Sequence, residues 1–314
     1  MWRYVLMRIV ATVPVMGVVA VFVFLMLRLA PGDPAAVIAG DYATAEDVAR
    51  IREQLGLDQP IPVQFARWIG QLLQGDLGTS IFTNLPVTTL IAQRLEPTLL
   101  LSLTTITFAI LVAVPLGTLA AWRAGSLLDR VVMLFSVAGF SVPVFVLGYI
   151  FIYVLAMWLG WLPVQGYKSP FVDGLVPFLQ HITLPTLTLS VIFIALIARM
   201  TRAAVMEVLA EDYVRTARAK GQSELKVLVR HALRNAAVPI VTVIGLGIAL
   251  LIGGVVVTES VYNIPGVGRL VLDAVLARDY PIIQGLILFF SFIYILINLV
   301  VDLLYTFLDP RIRY

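Results

Sequence analysis

The chain has 314 residues, 60% of them hydrophobic and only 13% charged, with two histidines, no cysteine and a formal net charge of +3. Soluble domains are about 45–50% apolar and about 25% charged. The polar surface here is too small to cover so large a core, so the composition defines an integral membrane protein. It excludes disulfides and thiolate chemistry, argues against a soft-metal site, and supplies no basic field for a nucleic acid.

Apolar runs predict six transmembrane helices, at about 9–29, 97–122, 131–160, 176–198, 236–258 and 282–303, each near the ~20 residues a crossing needs. Arg3 and Arg8 precede the first run as in a signal peptide. The run exceeds an ordinary h-region and no A-x-A site follows, so it reads as a retained helix.

Residues 30–96 form the longest segment between spans, with short helices of its own. "PGDP" (31–34) is a turn signal. In "TAEDVARIREQLGL" (44–57), Thr44 can cap a helix with Glu46 and Asp47 in its first turn and Val48, Ile51 and Leu55 on one stripe. "QFARWIGQLLQGDLGTS" (64–80) reads as a second amphipathic helix ending at Gly75. These helices read either as a packed cap on the bundle or as a docking surface.

The apolar run 131–167 contains "SVPVF" (141–145). Two spans turning at Pro143 would leave the first too short and expose unpaired backbone to lipid. The sequence therefore suggests one helix kinked at Pro143, ending near "GWLP" (160–163), with Trp158 and Trp161 in an interfacial belt. An even number of spans puts both termini on one side. With the termini in the cytoplasm, inner segments carry 14 of the 22 Lys and Arg residues, and the short loops agree with that orientation.

Eight of those cations fall in the inner loop 199–235. Within it, "EDYVRTARAKG" (211–221) begins with Glu211 and Asp212 and ends with Arg218 and Lys220, as the helix macrodipole favours, and Gly221 is a natural stop. Tyr213 and Ala217 share a face, while Arg215 and Arg218 lie elsewhere. Ser223 can cap a second helix with Leu225, Leu228, Val229, Ala232 and Ala236 on one face. The loop reads either as a solvated stretch on anionic headgroups or as a helix–Gly–helix shaped for a groove on another protein.

Further along, "VYNIPGVGRLVLDAVLARDYP" (261–281) turns at Pro265 and Gly266, then presents Leu270, Val271, Ala274 and Val275 on one helical face and Arg269 with Asp273 as an i, i+4 pair. Asn298 and Asp302, one turn apart near the inner end of span six, form a candidate intramembrane polar network. Asp302 reads as the partner of a cation on a neighbouring helix rather than a substrate contact. Thr104, Thr105, Thr107, Ser136 and Ser141 read as bonding their own helices, and His181 as structural. The chain has no internal repeat, no H-E-x-x-H, and no G-x-x-x-x-G-K-[ST] with which to cradle ATP.

The stretch 211–234 resembles the coupling loop of bacterial ABC importer permeases, E-A-A-x-x-x-G followed after nine residues by I-x-L-P. With Gly221 as the glycine, Arg215, Thr216 and Ala217 take the E-A-A positions and His231, Ala232, Leu233 and Arg234 the I-x-L-P positions, so only the second Ala, the Gly and the Leu match. The chain is more closely similar to the dipeptide/oligopeptide/nickel-type permeases. "LRLAPGDP" (27–34), "GDLGTS" (75–80), "HITLPTLTL" (181–189), "ARMTRAAVMEVLAEDYVRTARAKG" (198–221), "HALRNAAVP" (231–239), "VYNIPGVGRL" (261–270), "RDYPIIQG" (278–285) and "VDLLYTFLDPRIR" (301–313) carry that resemblance in order.

The resemblance implies an all-α, six-span, type I ABC importer permease in the bacterial inner membrane. It implies a second homologous permease subunit, two ATPase subunits or an ATPase homodimer, and an extracytoplasmic solute-binding protein. ATP and Mg would be bound by the ATPases, leaving this chain without catalysis or a cofactor of its own. Glu211, Asp212, Tyr213, Arg215, Thr216, Ala217, Arg218, Ala219, Lys220 and Gly221 would form its coupling helix. The implied cargo is di- or oligopeptides, with nickel chelates or glutathione-like peptides as alternatives. An ion-coupled carrier would need carboxylates near mid-membrane, and only Asp302 comes close.

Overall fold

The computed structural model describes residues 2–29, 34–39, 44–54 and 56–308. "PGDP" (31–34) and the Leu55 end of the first amphipathic stripe lie largely outside them. The helices are α1 (Trp2–Leu29), α2 (Pro34–Ala39), α3 (Ala45–Gln54), α4 (Ile61–Leu73), α5 (Val87–Trp122), α6 (Leu127–Ser141) and α7 (Val144–Phe151). There follow α8 (Leu175–Leu209), α9 (Asp212–Ala219), α10 (Glu224–Lys226), α11 (Ala237–Val261), α12 (Val267–Ala277) and α13 (Tyr280–Leu308). Wider π-helical turns continue α7 through Trp158 and α10 through Leu233.

Among the described residues, α5, α8, α11 and α13 are each long and apolar enough to cross a membrane, and α6 with α7 passes the same measure together, as a broken span or a re-entrant loop. The apolar stretch described in α1, Val10–Met26, is shorter.

The single kinked helix suggested for 131–160 is corrected by a full break. α6 ends at Ser141, Val142 is extended at φ −92° and ψ 124°, and the halves meet at 105°. Proline drives the residue before it out of helical backbone, and Pro143 then serves as the N-cap of α7, so the chain turns rather than bends. Other helices outrun their apolar cores. α5 begins ten residues before Pro97, and α8 continues through "TRAAVMEVL" (201–209), which is rich in helix formers and contains no breaker.

The core forms where α5 and α8 run side by side, joined by α7 and α11. Small residues set the spacing: Ala109, Ala113, Gly117, Ala120 and Ala121 are all buried on α5. At Gly117 a Cβ would overlap the Ala198 carbonyl and come within 2.8 Å of Thr201 Cβ. Close backbone approach through small residues is how apolar helices gain contact where lipid supplies no hydrophobic drive. Leu103 and Leu111 of α5 and Leu134 of α6 remain exposed on the outside. Between helices, Thr104 shares a hydrogen bond with Thr186 (2.9 Å), and the buried Tyr262 hydroxyl joins Thr188 (2.7 Å) and the Gly148 carbonyl (3.2 Å).

At the α12 end of the bundle, the buried Glu259 accepts from Thr98 Oγ1 (2.6 Å) and from the Arg269 amide (2.8 Å). Thr98 Oγ1 also accepts from the Val267 amide at 2.8 Å, so α5, α11 and the start of α12 meet at one carboxylate. Nearby, Asp279 accepts from Ser80 Oγ (2.6 Å) and fixes the "GDLGTS" turn against the corner between α12 and α13. α4 ends at Leu73, with Gly75 left-handed at φ +81°, and Phe65 and Trp68 pack on Phe24 of α1.

Candidate functional site

The α9 end is organised by the extension of α8. α9 follows one turn after Leu209, with Glu211 in its N-cap position and Gly221 left-handed at φ +75° beyond its end. Val214 and Ala217, one turn apart, are its buried residues, held against Val227 with Val208 and Leu209 around them. Glu211, Asp212, Tyr213, Arg215, Thr216, Arg218, Ala219, Lys220 and Gly221 are exposed.

The structure therefore divides the face that Tyr213 and Ala217 share in the sequence pattern. Ala217 packs inward, because the i, i+3 pair it forms with Val214 is what α9 has to bury. Tyr213 stays at the surface, where its hydroxyl accepts from Asn235 Nδ2 at 2.9 Å. Apart from Ala219, what α9 presents outward is charged or polar.

The connection from α9 to the next helix is polar. Arg218 donates from Nε (2.9 Å) and Nη2 (3.2 Å) to the two oxygens of Glu224. That guanidinium holds the Glu224 carboxyl below its ordinary range, with the Trp122 side chain of α5 adding to the effect. His231 Nε2 lies 2.8 Å from the Gln222 side chain. Arg215 and Asp212 form an exposed pair at 3.3 Å, of a kind that adds little stability. Ser223 stands at the N-cap of α10 but makes no side-chain capping bond, unlike the expectation from sequence.

A second joint lies beside it. Asp129, buried in the first turn of α6, takes Arg202 of α8 on both carboxylate oxygens and also accepts from the Gly125 amide at 2.8 Å. The 123–130 turn is thereby fastened to the extension that carries α9. In the sequence Arg202 enters only as one of the inner cations, and Asp129 is not singled out. The available signal was a lone acid between Arg123 and Arg130, at the edge of an apolar run where an unpaired charge is costly. Glu259 was missed in the same way, as the residue that closes the run 235–258.

The pathway candidates lie on a separate helix. Asn298 and Asp302 are both half-buried on α13, and Asn298 Nδ2 donates to the Tyr294 carbonyl at 3.0 Å. His181 Nδ1 is 2.8 Å from the Pro177 carbonyl one turn back. Ser136 and Ser141 bond the carbonyls of Val132 and Val137 in their own helix. Among the described residues, no group of three or more His, Asp and Glu is arranged to hold a metal.

Fold and site together define a membrane-embedded helical bundle that presents one short polar helix on the extension of a central span. Residues 113–314 match the family described as binding-protein-dependent transport system inner membrane component, and residues 1–102 match its N-terminal membrane component. The chain belongs to this family, and is thus a membrane component of an ABC importer rather than its catalyst.

It is 57% identical over 311 residues to the probable peptide ABC transporter permease protein y4tP of Sinorhizobium fredii, covering 99% of both chains. It is 48% identical over the full 314 residues to the glutathione transport system permease protein GsiC of Salmonella paratyphi A, and 46% identical to GsiC of Escherichia coli K12. Among solved structures, the inward facing MetNI methionine ABC transporter covers 71% of this chain and 97% of its own at a TM-score of 0.58 and 17% identity, a likeness of fold.

Proposed function

We propose that this chain is one of two homologous permease subunits of an ATP-driven importer, forming half of the path by which di- or oligopeptides cross the inner membrane. Its near full-length identity to a probable peptide permease supports the cargo class. One observation carries the mechanism: α9 follows directly on the extension of α8, with its apolar pair Val214 and Ala217 turned inward and a mainly polar outer face. In this reading α9, from Glu211 to Gly221, docks into a cleft of an ATPase subunit, and closure of the ATPase pair around ATP moves α8 and the helices bound to it.

The proposed topology has six spans, with α1 as the first, the broken α6–α7 unit as the third, and both termini in the cytoplasm. α1 is helical over Trp2–Leu29, which supports that count. The segment 30–96 then lies on the outer face with α12, where the solute-binding protein delivers its cargo. Asn298 and Asp302 are proposed as an intramembrane polar network on α13. ATP and Mg are bound by the two ATPase subunits.

Glutathione-like peptides are a second cargo reading, supported by the glutathione permease relatives that match from end to end. The experiment is uptake into proteoliposomes holding both permeases, the ATPases and the binding protein. ATP-dependent accumulation of a labelled dipeptide or oligopeptide is expected. Accumulation of glutathione alone selects the second reading. Uptake that continues without the ATPases and follows an ion gradient overturns both.

A further inference from the structure

α9 is joined to the bundle by more than its chain neighbours. The segment from Glu224 to Leu233 lies between α9 and the end of α5. Val227 packs into the cluster of Val214 and Ala217, while the adjacent Leu228, with Ala232, packs against Ala121 of α5 and Ala204 and Val205 of α8. One end of this spacer is polar. The Glu224 carboxylate takes both donors of Arg218 from α9, at the head of the segment that packs on Ala121 of α5.

Resting on the coupling reading of α9, we propose that Glu224 is a positioning residue that clamps α9 to the segment packed on the end of α5. A displacement of α9 then reaches α5 through this segment, as well as through the chain into α8. A bidentate guanidinium–carboxylate pair suits this role because it fixes orientation as well as distance. Its partial exposure, 40% for Arg218 and 45% for Glu224, means that the fold does not depend on it. Removing it should release the joint and leave the bundle intact.

The test uses the assembled transporter with its ATPase subunits, spin-labelled at Leu119→Cys on α5 and Lys220→Cys at the end of α9. With Glu224 present, the label-to-label distance should be narrow and equal in the nucleotide-free and vanadate-trapped states. In Glu224→Gln the two states should separate by a shift on the order of 2 Å, and the exchanged pair R218E/E224R should restore a single distance. Unchanged distances in Glu224→Gln, or a state-dependent distance with Glu224 present, overturn the clamp. The underlying reading has its own readout: Ala219→Cys that forms no cross-link to the ATPase removes the coupling role of α9. A normal cross-link with unmoved distances removes the clamp alone.

Discussion

Asp129 and Arg202 face each other as a buried carboxylate and a guanidinium engaged through both Nε and Nη2, joining the first turn of α6 to the extension of α8. Breaking such a pair strands a charge in a poorly hydrated place, at about 3–5 kcal/mol for a fully buried case. Arg202 is 22% exposed, which puts the expectation at the lower end. Asp129→Asn should lower the melting temperature of the purified transporter more than Glu224→Gln does. The exchanged pair D129R/R202D should recover part of the loss. Equal melting temperatures for Asp129→Asn and the parent would show that the joint contributes nothing to stability.

Two glycines test the close approach of α5 and α8. Gly117→Ala places a methyl group against the Ala198 carbonyl and Thr201, and overpacking of this kind costs about 1–3 kcal/mol. Gly253→Ala on α11 meets nothing within 4 Å and should be neutral or stabilise by up to about 1 kcal/mol through helix propensity. Thermal denaturation of the two variants in the same detergent should move in opposite directions or differ by the Gly117 loss alone.

On α9, thiol accessibility separates the two alanines. Ala219→Cys should react quickly with a soluble maleimide in the isolated permease and become protected when the ATPase binds. Ala217→Cys should react slowly in both states, since Ala217 is buried against Val214 and Val227. Rapid labelling of Ala217→Cys would mean that α9 is packed differently in solution.

Tyr167 supplies a pH prediction outside the spans. Burial first, then its 2.8 Å hydrogen bond to Glu96, pushes the phenol above its ordinary value of 10.0. A group raised in the folded state stabilises below its unfolded pKa and loses that contribution as pH climbs toward the folded one. Tyr167→Phe should therefore destabilise at neutral pH, and the gap between variant and parent should narrow above pH 10. A gap that stays constant into the alkaline range would contradict the Glu96 contact.

Helix type and the spacing of α9 were legible because a 13% charged chain can bury charge only where partners await it, and because acids at 211–212, cations at 218–220 and Gly221 all mark one short helix. The inward turn of Ala217 was not, since it depends on Val227 and Leu209, which reach α9 only after the chain has folded back. The break before Pro143 was half legible. The proline was visible, but whether a helix bends or stops depends on what receives the second half. Here Gly148 of α7 packs on Val261, Thr188 and Tyr262. Likewise, nothing local to Asp129 or Glu259 names Arg202 or Thr98 as the partner.

Beneath "IPGVG" (264–268), Glu259 lies so close that any side chain at Gly266 would overlap its carboxylate, and Gly268 is hemmed by the same group and by Val256. The loop and the acid cannot therefore be exchanged one at a time between permeases. A chimera that transplants α12 without Gly266 and residues 98 and 259 should misassemble, whereas one that moves them together should carry the whole cap as a portable module.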